Sequence, residues 1–136
     1  QPVMERQSRT PSPAPPQPHS DWPWTLTVDG YAGSTTDPSW QDIEEELREL
    51  VPDPDSFLIL EQKDPQNLEN YWFIQCAVAS QGPAAGKYAV EIGCSTPGGP
   101  CLWERMVPDV REAAKYFSDA YDHRPVNVSD FQEAQN

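Results

Sequence analysis

Histidine and cysteine are scarce in this sequence: two His, at 19 and 123, and three Cys, at 76, 94 and 101, among 136 residues. General acid/base and nucleophilic catalysis use such side chains beside an orienting partner. His19 stands in a proline-rich leader and His123 next to Arg124, so neither has a catalytic neighbour in the chain, and no enzyme activity is expected. Three irregularly spaced cysteines supply neither a disulfide framework nor a zinc ligand set. Cys94 and Cys101 flank Ser95-Thr96-Pro97-Gly98-Gly99-Pro100. They could face each other across a hairpin mouth and form one disulfide in an oxidising compartment. The alternative is two small apolar fillers in a reducing compartment, which the odd Cys76 fits.

No run of 18 or more apolar residues occurs, which excludes a transmembrane helix. Residues 1 to 19 have no apolar stretch of the signal-peptide kind. A cytoplasmic location is expected. Gln1 is an unusual first residue, so either Met4 begins the natural chain or the chain is a processed form. Asp53-Pro54-Asp55 lacks the Gly and the spaced Glu of a calcium loop, and Gly98-Gly99 is not followed by a phosphate-cradling helix. No metal and no cofactor are expected.

Basic residues are also few. Nine Lys and Arg stand against 22 Asp and Glu, a formal charge of −13 at pH 7. Such a field repels nucleic acid and anionic membrane, and it favours and steers basic partners.

What is present reads as one domain of roughly 110 residues around one core. Pro11, Pro13, Pro15, Pro16 and Pro18 lie among Ser, Gln and Arg, so residues 1–20 are expected to be a disordered tail. Residues 21–130 form the domain and 131–136 fray. Trp24 to Asp29 alternates as a half-buried strand, ended by Gly30. A helix follows, with Asp37 as N-cap candidate, Pro38 in the first turn, Ser39 and Asp42 at capping-box spacing, and Trp40, Ile43, Leu47 and Leu50 at helical intervals. Val51-Pro52-Asp53-Pro54-Asp55 ends it.

Strands are then expected at 57–61, 71–78, 87–94 and 101–107, joined by short turn-rich loops that suit an antiparallel meander. In the third, Tyr88, Val90 and Ile92 share one face. Glu91 falls on the other with Ala89 and Gly93, toward solvent or a partner. Pro108 leads a last helix to about Asp122, striped by Val110, Ala113, Ala114, Phe117, Ala120 and Tyr121. Residues 125–128 offer a short edge strand. The expected fold is α+β, a four- to five-stranded antiparallel meander with two helices in the order β-α-β-β-β-β-α.

Residues 37 to 69 concentrate Asp37, Asp42, Glu44, Glu45, Glu46, Glu49, Asp53, Asp55, Glu61, Asp64 and Glu69 against Arg48 and Lys63. Carboxylates fanned over a helix and its following loop can pair with Lys and Arg of another protein. A solvated helix face is the alternative. Exposed aromatics beside the acids, with Trp22, Trp72 and Trp103 as candidates, would mark a partner site. The expected partner-binding residues are Asp42, Glu45, Glu46, Glu49, Asp53, Asp55, Glu91 and Trp103.

The order strand, acidic helix, meander, then Val107-Pro108 leading a helix with Phe117 and closing on Arg124-Pro125-x-x-Val128, resembles small immunity proteins of bacterial polymorphic-toxin systems. The resemblance spans roughly residues 24 to 130 and rests on dispersed residues. It implies a non-enzymatic inhibitor that occludes the active site of a cognate toxin, often a nuclease or deaminase with a basic groove. Two other classes fit the residues: an adaptor of a phage or secretion apparatus tethered by its proline-rich tail, and a small enzyme or ligand-binding protein with a site around Glu91 and Tyr88.

Overall fold

The computed structural model describes residues 16–29 and 33–134. Leu58, Leu60, Ile74, Cys76, Val90 and Ile92 alternate inward along neighbouring strands, and that period of two sets the architecture. Among these residues seven strands form one antiparallel sheet: β1 Trp24–Val28, β2 Ser34–Thr36, β3 Phe57–Asp64, β4 Asn67–Val78, β5 Tyr88–Thr96, β6 Gly99–Val107 and β7 Gln132–Glu133. Their order is β2-β1-β3-β4-β5-β6-β7. Among the described residues two helices, α1 Trp40–Arg48 and α2 Val110–Tyr121, bury Ile43, Leu47, Ala113, Phe117 and Ala120 in the same core as the inward strand residues. The other sheet face has no described helix over it.

The α+β class and the central β3-to-β6 meander are as expected. The strands are longer than the sequence pattern gave, because hairpin turns shrink to Pro65-Gln66 and Pro97-Gly98 and their flanks pair. The added strands are β2, which pairs with β1, and β7, which pairs with Trp103 and Glu104 of β6. β7 lies where fraying was expected. The expected 125–128 edge strand does not form; Val126 is instead buried against the core.

Capping differs at both helices. Ser39, not Asp37, caps α1: Asp42 N–H donates to Ser39 Oγ at 3.1 Å and Ser39 N–H to Asp42 Oδ2 at 3.2 Å. Asp37 turns the chain with a positive φ of 52° and donates its N–H to Trp24 O. Pro38 precedes the cap. Asp109 caps α2, which leaves Pro108 outside the helix as well. Tyr121 Oη donates to Pro38 O at 2.7 Å, tying the end of α2 to the start of α1.

The tail boundary moves toward the N-terminus. Residues 16–20, expected to be disordered, form a strap bound to the sheet. Trp72 Nε1 donates to Pro16 O at 2.6 Å, and the Gln17 amide donates to and accepts from the Val126 backbone. Gln62, 0% exposed, receives His19 N–H and donates to the carbonyls of His19 and Trp22. Sidedness alone would make Gln62 an apolar position. Its amide is there because a strap backbone, with its own polar groups, covers that end of the core. The tail expectation for residues 1–15 lies outside the described residues.

Candidate functional site: an acidic helix and loop

Helix α1 is short and amphipathic. Ile43 and Leu47, one turn apart, enter the core and Trp40 packs at its edge, so the remaining positions face outward. Asp42, Glu45 and Glu49 are exposed and Glu46 is half-buried. Asp53 and Asp55 are exposed on the loop that follows. Six of the eight residues expected to bind a partner therefore gather on one element and its exit loop.

Asp42 closes the α1 capping box, but helix stability does not account for the other carboxylates. Asp42 is favourable in the first turn, near the positive end of the helix dipole, but Glu46 and Glu49 sit at the opposite end, where negative charge is disfavoured. Asp42–Glu46 and Glu45–Glu49 are like pairs at i,i+4, and each such pair costs an isolated helix roughly 0.2–0.5 kcal/mol. Burial raises the pKa of Glu46 above the usual carboxylate range, and Glu49, Asp29, Glu45 and Asp42 push it further.

Compensation is slight. Arg48 pairs with Glu44 at 3.3 Å, and Gln41 Nε2 donates to Glu45 at 3.2 Å. Among the described residues, none of Asp42, Glu45, Glu46, Glu49, Asp53 and Asp55 has a Lys or Arg partner; the ion pairs are Arg48 with Glu44, Arg105 with Asp130, and Arg124 with Asp119 and Asp122. The carboxylates fan out, and among the described residues no three metal-ligating side chains converge.

Glu91 and Trp103 are not part of this surface. Trp103 is 4% exposed: alternation along β6 turns it inward, opposite Ile92, so it is a core residue and not an interface anchor. Trp72 is buried for the same reason. Trp22 stays half-exposed, with His19 stacked on it at 3.7 Å, in the strap. Glu91 points to the uncovered sheet face, as its alternation required, and accepts a hydrogen bond from Gln75 Nε2. Tyr88 packs on the core face, so Glu91 and Tyr88 cannot line one pocket.

Cys94 and Cys101 are direct cross-strand partners, as the hairpin reading required, and both thiols are free. The residues of the family resemblance have structural places here. Val107 and Phe117 are fully buried. Arg124 closes α2 by donating to Asp119, Asp122 and Ser118.

No protein-family model, curated protein or solved structure matches the chain. Among the described residues, no helix is long and apolar enough to cross a membrane.

Proposed function

We propose that the chain is an immunity-type binding protein that neutralises a basic toxin domain by occluding its active site, and that it carries out no chemistry itself. The observation supporting this reading is the cluster of carboxylates on α1 and its exit loop, with Glu46 and Glu49 at the disfavoured end of the helix dipole and, among the described residues, no Lys or Arg partner for Asp42, Glu45, Glu46, Glu49, Asp53 or Asp55. Charge placed at a cost to its own helix is accounted for when a partner supplies the cations.

A nuclease or deaminase groove lined with Lys and Arg has the matching chemistry, because carboxylates spaced along a helix can occupy positions that substrate phosphates would take. Asp42, Glu45 and Glu49 are the first contacts, with Asp53 and Asp55 extending the surface. The long-range field of the −13 chain accelerates encounter.

Co-expression with the protein encoded beside its gene tests the reading. Co-purification together with rescue of growth is expected; a chain that neither binds nor protects would remove it.

A further inference from the structure

The second sheet face carries more apolar surface than water requires. An antiparallel sheet packed on one side ordinarily turns polar residues to solvent on the other. Here Phe57, Ile59, Phe73 and Leu102 are half-buried and Met106 is 44% exposed, all at register positions facing away from the helices. Phe73 lies directly over Gly93: a Cβ there would come within 2.3 Å of Phe73 Cζ. The missing side chain lets the ring lie flat across β5, stacked on Tyr71, and it broadens the apolar belt.

Acid crosses the middle of that belt. Ile59, Gln75, Glu91 and Glu104 stand in one register row over β3 to β6. Glu91 and Glu104 are directly opposite, an arrangement that destabilises a strand pair. Among the described residues neither has a Lys or Arg partner.

We propose that this face is a second docking surface, for a partner protein that presents Arg or Lys within an apolar patch. Charge complementarity selects that occupant. A guanidinium set between Glu91 and Glu104 makes charge-assisted hydrogen bonds while its plane and stem pack on Phe73 and Met106. A second copy is disfavoured, because a two-fold contact sets the same patch against itself and opposes acid with acid. The proposal rests on the function proposed above only for the basic character of the partner. It uses the side of the sheet away from α1, so either surface can fail alone.

An NMR titration of the full chain with a synthetic peptide alternating Leu and Arg tests it, with a Leu-Ser peptide as control. Saturable shifts centred on Phe73, Glu91, Glu104 and Met106 are expected. Affinity should fall by about tenfold or more for the Leu-Ser peptide and for the Glu91→Gln/Glu104→Gln variant, whose remaining spectrum reports its folding. In a Glu45→Lys/Glu46→Lys/Glu49→Lys variant the open-face shifts should persist. Shifts confined to α1, equal binding of the Leu-Ser peptide, or no binding up to peptide solubility would overturn the proposal. Self-association, or NOEs from residues 1–15 onto Phe73 or Met106, would do the same by giving the face another occupant.

Discussion

His19 and Gln62, 43 positions apart, are joined by reciprocal hydrogen bonds: His19 N–H donates to Gln62 Oε1 at 3.0 Å, and Gln62 Nε2 donates to His19 O at 2.6 Å. A backbone edge is thereby completed by a side-chain amide. Gln62→Ala removes these bonds and the one to Trp22 and leaves a hole beneath the strap. A loss of about 2–4 kcal/mol in chemical denaturation is expected. Amide exchange at His19 should accelerate far more than at Leu60. Unchanged exchange at His19 would mean that the Pro16 and Gln17 contacts hold the strap without Gln62.

Gly93 and Phe73 form a coupled pair. Gly93→Ala forces the Phe73 ring off β5 and should cost about 1–3 kcal/mol. Combined with Phe73→Ala, the same substitution should cost much less, because the clash is gone. Additive losses in a double-mutant cycle would show that the strain lies in the backbone and not under the ring.

Much of this fold was legible in the sequence. The alternation of Tyr71–Val78 and of Tyr88–Ile92 sorted core from open face correctly, including Glu91, because a strand with one buried face has no register freedom. The Ser39–Asp42 capping spacing and the 43–47 stripe placed α1 and its acids. Two features were not legible. β2 is three exposed Ser and Thr residues with no apolar alternation to mark it, and β7 is two residues held by pairing alone. Trp103 has the polar neighbours Glu104 and Arg105, which mask its sidedness, although its even spacing with Cys101, Arg105 and Val107 carries the inward signal. The strap was hidden by composition, since prolines that fail to build a core can still dock on one. A buried Gln in an apolar strand was the clue to it.

Burial pushes the Cys76 thiol up to about 12, with Glu91 adding to it, and the Cys94 thiol up to about 11, with Cys101 adding. In the unfolded chain such thiols ionise from an ordinary 9.0, so above that pH the unfolded state holds fewer protons and stability falls. Their contribution is full below pH 9 and is lost as pH rises toward 11 and 12. A Cys76→Val variant should show a shallower decline across that range in denaturant titrations. An identical slope would contradict the buried-thiol account.

Glu46 has the same sign at acid pH. Its raised pKa means that it favours folding while protonated and disfavours it progressively as pH climbs through its folded value. Glu46→Gln should raise Tm at pH 7, leave it nearly unchanged at pH 3, and show a smaller gain in high salt, where repulsion from Glu49 and Asp29 is screened. A lower Tm at pH 7 would show that the carboxylate is stabilised locally and would weaken the case that α1 carries charge against its own stability.

The most direct measurement is the association rate with the protein encoded beside its gene, the toxin of the proposed function, by stopped flow at low and high salt, for the native chain and for Glu45→Lys/Glu46→Lys/Glu49→Lys. Fast association that falls steeply with salt is expected for the native chain, with a variant slower by about tenfold or more yet of equal or higher Tm. Equal rates for the two proteins, or a native rate indifferent to salt, would contradict the acidic helix as the contact surface.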